Sequence, residues 1–246
     1  MDQVRKAALV ICAFLLFATS VTGTELKFTT QDFSPFSYKT KGVVSGPAAD
    51  IIRKICKEMK IKCSFRLLPW TRAQIEVKKG KANGMFVIGW NKERAKWLYF
   101  TPAIMNTEYG FFVKDDNRLS FKQVSDIKGF KIAVYGPSNT SKSLKKIKAK
   151  IKILTIDLRP DDESGFRKTS KKKVDAVYSN RDVGYALIKK IGLKNIRYAG
   201  SHKKLKYYIG FSKQFNNKII VDRFNSTFLD LQKRGVIQKI LRKHFK

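Results

Sequence analysis

The chain has 246 residues, 43% of them hydrophobic, which suffices to bury a core in one large domain or two small ones. Lysine and arginine number 52 against 19 acidic residues, so the formal net charge is +33 at pH 7. A charge of this size attracts polyanions. The lysines are scattered among predicted helices and turns, without zinc-finger spacing or an aromatic RNA-binding signature, and we expect no nucleic-acid partner.

The N-terminal segment has the pattern of a secretory signal. Arg5 and Lys6 precede an apolar run over residues 7–17, and small residues suited to cleavage follow at 21–23. The run is shorter than the about 20 apolar residues that a membrane-spanning helix needs. We therefore expect residues 1–23 to be removed on export, and a retained N-terminal anchor is the alternative.

Two cysteines remain beyond that signal, Cys56 and Cys63. Outside the cytoplasm such cysteines are expected to pair, and closing so short a loop stabilises the fold by roughly 2.5 kcal/mol. A metal site is the alternative, but the histidines, His202 and His244, are remote in sequence. We expect a disulfide, no metal and no cofactor.

Periodicity predicts alternating strands and helices, the pattern of an α/β fold. Predicted strands are 26–30, 64–68, 84–88, 109–113, 131–135, 151–156 and 205–211; predicted helices are 47–59, 70–80, 162–169, 186–191 and a helical tail from 215 onward. In that tail Ile219, Ile220, Phe224, Phe228 and Leu231 are expected to pack inward.

The most informative stretch follows the apolar strand 84–88. Gly89 ends the strand, and a short polar turn then carries Arg94. Strands of an open α/β sheet end at the crevice where such folds bind ligands. The arginine fork has the geometry that holds a carboxylate with two hydrogen bonds. The alternative interpretation is an exposed arginine in a solvated loop.

A second turn, residues 136–141, follows the strand 131–135 and begins a lysine-rich helix. Small residues between a strand and a helix N-terminus offer free N–H groups to an anion. The turn lacks the Gly-Lys-Ser/Thr ending of a Walker loop. Asn139 and Thr140 are the candidate anion-binding residues, and an ordinary helix cap is the alternative.

Two segments carry a family resemblance. Asn91-Lys92-Glu93-Arg94, followed by Phe100-Thr101-Pro102, is similar to T-x-E-R…F-S-x-P-Y, with Asn91 in place of threonine and Ala103 in place of tyrosine. Val174-Asp175-Ala176, with Asn180 at the final position, is similar to G-x-V-D-A-x-x-x-D. The chain resembles the bacterial extracellular solute-binding proteins of family 3.

The resemblance implies a two-lobed periplasmic-binding-protein-like fold, in which each lobe is a mixed sheet flanked by helices. Lobe 1 would comprise residues 24–112 plus 208–246, and lobe 2 residues 113–207. Two hinge crossings, near Phe112 and Tyr208, would join them. Such an architecture closes around a bound solute.

The resemblance also implies a site between the lobes. Arg94 and Gly89 would face Asn139 and Thr140 across the ligand carboxylate. The remaining candidates are Phe33 and Trp70 as walls of the site, Arg72, and Asn180 as a polar selector. Arg72 either faces the cleft or pairs with an acid on its helix. Asn180 stands where relatives have the aspartate that accepts the ligand ammonium, which puts an ordinary α-amino acid in question.

The function implied is that of a monomeric periplasmic receptor, not an enzyme, which delivers a small carboxylate-bearing ligand to the membrane permease of an ABC importer. One alternative is an enzyme on the same scaffold, similar to cyclohexadienyl dehydratases, which needs a general acid in the cleft. Another is a module that binds a polyanion or a protein through its basic surface.

Overall fold

The computed structural model describes residues 25–245, and the predicted signal peptide lies outside them. Within that range the strands are β1 (Glu25–Thr30), β2 (Tyr38–Thr40), β3 (Val43–Ser45), β4 (Lys62–Leu67), β5 (Gly84–Gly89), β6 (Leu98–Phe100), β7 (Met105–Lys114), β8 (Lys131–Tyr135), β9 (Thr155–Arg159), β10 (Ala176–Asn180) and β11 (Ile196–Ser212). The helices are α1 (Pro47–Glu58), α2 (Trp70–Lys78), α3 (Lys92–Trp97), α4 (Asn139–Lys148), α5 (Asp162–Ser170), α6 (Arg181–Ile191), α7 (Lys218–Lys233) and α8 (Val236–His244), with a 3-10 helix at Val124–Ile127.

One mixed sheet runs through the molecule in the order β4-β1-β5-β11-β7-β10-β8-β9, and β6 also pairs with β11. β1 is parallel to β4 and β5, whereas β11 is antiparallel to β5 and β7. The 17-residue β11 pairs with β7 over residues 196–207 and with β5 over residues 207–211. β7 and β11 therefore connect the two halves of the sheet.

Each half of the sheet has its own apolar core. Phe28 and Phe86 pack with Phe224 and Phe228 from α7 in the half that contains both ends of the described chain. The other half has a separate cluster around Phe111, Ile132 and Tyr178. The lobe boundaries at residues 112 and 208 remain predictions.

Two details of the predicted elements are wrong. The strand predicted at 151–156 begins only at Thr155, because the N–H of Ile151 bonds the carbonyls of Ile147 and Lys148 and so extends the end of α4 as a turn. Ile219 is 74% exposed, whereas Val221 is buried. At 100° per residue the face that carries Phe224 also carries residues 220 and 221, so Ile219 points away from the core.

The predicted pairing of the cysteines is confirmed. Cys56 near the end of α1 is bonded to Cys63 in β4, and their Cα atoms are 6.2 Å apart. The bond ties α1 to the strand at the edge of the sheet. No set of three metal-ligating side chains occurs within residues 25–245. In the same range, none of the helices is long and apolar enough to cross a membrane.

Opening this disulfide should lower the free energy of unfolding by about 2.5 kcal/mol, because it frees a short loop in the unfolded chain. Urea unfolding of the wild type with and without dithiothreitol measures this loss of stability, because reduction opens the disulfide without removing either cysteine side chain. The double variant Cys56→Ala, Cys63→Ala should show no effect of the reductant. Equal midpoints for oxidised and reduced wild type would contradict a stabilising role.

Candidate functional site

A cleft opens where β1, β5 and β8 end. Its inner cavity has a volume of about 50 Å³ and its outer cavity about 650 Å³. Gln31, Phe33 and Tyr135 line both cavities, so the two are adjacent. The inner cavity is lined by Gln31, Phe33, Trp70, Val87, Ile88, Gly89, Arg94, Tyr109, Tyr135, Ser138, Asn139, Thr140 and Tyr207.

Arg94 lies in the inner cavity and is only 9% exposed. Asn91 caps α3 by accepting a 2.8 Å hydrogen bond from the Arg94 N–H, which fixes the turn. The guanidinium donates from Nη1 to the Gly89 carbonyl at 2.7 Å and lies 4.9 Å from the centre of the Trp70 ring. The backbone and side chain of Arg94 are thus both held in place.

No carboxylate among residues 25–245 lies within 4.0 Å of the Arg94 guanidinium. Burial lowers the pKa of Arg94, and the nearby Tyr109 and Tyr207 oppose that shift. An arginine remains protonated at neutral pH even so. The inner cavity therefore contains a buried positive charge without a counter-charge from the described chain.

β5 is irregular where it reaches the cleft. Tyr208 pairs with Ile88 and Ile209 with Phe86, so Val87 is left out of the register as a β-bulge. Val87 has φ of 58°, a left-handed conformation that is costly for a β-branched residue. The bulge redirects the end of β5, whose last carbonyl, that of Gly89, holds Arg94.

The opposite wall is the N-terminus of α4. Ser138 caps this helix by accepting a 3.0 Å bond from the N–H of Ser141. The first N–H groups of a helix have no partner within it, and here they belong to Asn139 and Thr140. The Asn91 amide donates to Asn139 Oδ1 at 3.4 Å, so the two walls meet at this point.

Asn180 lies behind the cavities and does not line them. It is 1% exposed, and its amide donates to Thr107 Oγ1 at 2.7 Å and to the Tyr207 hydroxyl at 3.0 Å. Its Oδ1 accepts from the N–H groups of Asp182 and Val183, at 2.9 and 3.1 Å. Both polar atoms of the side chain are therefore occupied by the protein.

Arg72 also lies outside both cavities. Its Nε donates to Glu76 Oε1 at 2.8 Å, and the side chain is 56% exposed. Arg66 pairs with the other oxygen of Glu76 at 2.9 Å. Arg72 therefore makes the contact that the second interpretation describes, an ion pair with an acid on its own helix.

Sequence reasoning did not identify Tyr109 and Tyr207, which line the inner cavity from β7 and β11. Both are buried, and burial raises the pKa of each hydroxyl. Because alternating aromatic residues in a strand also occur in ordinary cores, the pattern alone could not distinguish them.

Asp162 is a second residue that sequence reasoning did not single out. It lies at the start of α5, is partly buried, and lines the outer cavity. Ser179 donates to one of its carboxylate oxygens at 2.7 Å. Burial raises the pKa of Asp162 to about 6, and the adjacent Asp161 charge adds to the shift.

Comparison with known proteins shows the family of the chain. Residues 27–246 match the family described as bacterial extracellular solute-binding proteins, family 3. A probable amino-acid-binding protein, YxeM of Bacillus subtilis (strain 168), is 26% identical over 215 residues, which are 86% of this chain and 80% of that protein. An arginine-binding periplasmic protein of Mannheimia haemolytica is 22% identical over 238 residues, covering 92% of this chain and 94% of its own.

Among solved structures, an ancestral arginine-binding protein bound to arginine superposes with a TM-score of 0.78 at 23% identity, covering 90% of this chain and 98% of its own. This similarity confirms the predicted α/β periplasmic-binding-protein fold, and the match over residues 27–246 confirms the resemblance seen in the sequence. The chain belongs to the bacterial extracellular solute-binding proteins of family 3.

Proposed function

We propose that this protein is an exported receptor that binds a small amino-acid-like carboxylate in the cleft and delivers it to the permease of an ABC importer. The observation that carries the proposal is the buried Arg94, which has no counter-charge from residues 25–245. Removing a charge from water costs several kcal/mol unless a partner compensates. A ligand carboxylate on the free donors of the guanidinium supplies that partner.

The volumes of the two cavities suit such a ligand. The inner cavity of about 50 Å³ has room for a small polar group such as a carboxylate. The rest of the ligand extends past Phe33 and Tyr135 into the outer cavity.

The two walls of the cleft support binding by closure. Arg94 and Gly89 contribute from one side, and the N–H groups of Asn139 and Thr140 from the other. A ligand can hold a closed form only through contacts that the open form lacks, and contacts on both walls meet that condition. In this proposal residues 24–112 plus 208–246 and residues 113–207 move as two lobes about β7 and β11.

The relatives support a location outside the cytoplasm. The family consists of extracellular proteins, and one relative is described as periplasmic. A cleaved signal over residues 1–23 would place this chain in the same compartment, where the Cys56–Cys63 disulfide is stable. The receptor acts as a monomer and presents its loaded, closed form to a membrane permease.

Replacing Arg94 by alanine should weaken binding by at least about 100-fold, since it leaves the ligand carboxylate buried without its partner. The standard L-amino acids and L-ornithine are first screened by thermal shift, and the strongest binder is then titrated by calorimetry. Arg94→Lys should be intermediate, because an ammonium retains the charge but lacks the planar fork.

Arg66→Ala is the matched control for Arg94→Ala. It removes a guanidinium from the same half of the molecule, at a site 54% exposed to solvent, and should leave the affinity unchanged. The empty Arg94→Ala protein should melt at or above the wild-type temperature, because an uncompensated buried charge is lost. Equal affinity of Arg94→Ala and wild type would reject the assignment.

The enzyme alternative needs a general acid in the cleft, and the candidate is the Asp162 carboxyl, whose pKa is raised to about 6 by burial. A binding protein should release no product from prephenate, the substrate of the dehydratases that share this scaffold. Incubation of the wild type with prephenate, followed by chromatography, tests this. Product that forms with wild type but not with Asp162→Asn would replace the receptor proposal with a catalytic one.

A further inference from the structure

We infer that in this chain Asp162, rather than the residue at position 180, accepts a cationic group of the ligand. The inference rests on the proposed function, because it takes the Arg94 end of the cleft as the carboxylate site. It adds a residue that determines specificity at the other end, in the outer cavity.

The position of Asp162 is the first argument. It lines the outer cavity, which adjoins the Arg94 cavity at Gln31, Phe33 and Tyr135. One carboxylate oxygen is fixed by the Ser179 hydroxyl at 2.7 Å, and the other has no hydrogen-bond partner within residues 25–245. The carboxylate is therefore oriented by the protein and retains an unused acceptor.

A charged side chain lies at each end of the cleft, Arg94 in the inner cavity and Asp162 in the outer cavity. Neither Asp162 nor Arg94 has an oppositely charged group within 4.0 Å in the described part of the chain. Arg94 is more than nine-tenths buried. Within residues 25–245 its guanidinium donates one hydrogen bond, to the Gly89 carbonyl. A positive group in one cavity and a negative group in the adjacent cavity match a ligand that carries both charges.

The surroundings of Asp162 strengthen the negative end. Asp161 caps α5 through a 2.7 Å bond from the Ser164 N–H and lies beside Asp162. Glu163 pairs with Arg167 at 2.7 Å, and these two charges offset each other. Other groups near Asp162 are the hydroxyls of Tyr109, Tyr135 and Tyr207. The exposed side chains of Asp32 and Lys190 also line the outer cavity.

Asn180 cannot take this role in the observed arrangement. Its oxygen accepts two backbone N–H groups at the start of α6, and its amide is directed to Thr107 and Tyr207. The nearby Asp182 accepts from Thr107 at 2.8 Å and pairs with Arg181, and it lines neither cavity. Of the two partly buried carboxylates that line the outer cavity, Glu163 pairs with Arg167 and Asp162 has no ion pair within residues 25–245.

The raised pKa of Asp162 gives the inference a pH signature. Burial raises it to about 6 in the empty protein, and an approaching cation favours the ionised carboxylate. Binding should therefore be strongest above that value and weaken as the pH falls through it, when the carboxylate takes up a proton. No histidine lines either cavity in the described part of the chain.

The test compares Asp162→Asn with the wild type, using as probe the strongest binder from the panel of standard L-amino acids and L-ornithine. The neutral amide should weaken binding about 10- to 150-fold, the equivalent of one charge-assisted hydrogen bond. Between about pH 7.5 and about pH 5 the wild type should lose about tenfold in affinity, and the variant should lose little.

Asp175→Asn is the matched control. It removes the same charge at the far end of β8, where Asp175 accepts the Lys131 N–H, and should bind within about threefold of wild type. The empty Asp162→Asn protein should melt at or above the wild-type temperature at pH 7.5, because a buried carboxylate with a raised pKa destabilises the fold above that pKa. Such a result excludes unfolding as the cause of weak binding.

Two outcomes would overturn the inference, and they are distinguishable. If Arg94→Ala abolishes binding but Asp162→Asn retains wild-type affinity and pH dependence, the receptor function stands and Asp162 is not its cation acceptor. If no member of the panel raises the melting temperature of the wild type, the proposed function fails and the inference fails with it.

Discussion

The arrangement of the cleft depends on a positive charge that is buried without a counter-charge from the described part of the chain. Burying such a charge lowers the stability of the fold by several kcal/mol, and the surrounding structure has to hold the side chain in place. The turn capped by Asn91, the carbonyl of Gly89 and the face of Trp70 all fix the guanidinium of Arg94. None of these neighbours neutralises its charge. The site is thus organised in advance for an anion that comes from outside the protein.

The sheet explains how a single cleft combines residues from distant parts of the chain. β7 and β11 run through both halves, and the buried amide of Asn180 bonds Thr107 on one strand and Tyr207 on the other. These bonds fasten α6 to both connecting strands directly behind the inner cavity. A residue whose sequence position suggested ligand selection therefore stabilises the region about which the proposed lobes would move.

Much of the fold could be predicted, because the order of strands and helices has clear periodicity and the Cys56–Cys63 pair has few alternatives. The position of Arg94 followed from the rule that strands end at the crevice. Local sequence could not decide whether Arg72 faces the cleft or Glu76, since both are within reach of one side chain. It also could not reveal Asp162, whose importance arises from a cavity formed by segments distant in sequence. The bulge at Val87 has no signal in a continuous apolar strand.

The most direct measurement is a crystal structure of the protein with the amino acid that gives the largest thermal shift. The account predicts that both carboxylate oxygens of the ligand lie within hydrogen-bonding distance of the Arg94 guanidinium, with N–H groups of Asn139 or Thr140 on the opposite side. A ligand carboxylate bound elsewhere, with only water on Arg94, would contradict it.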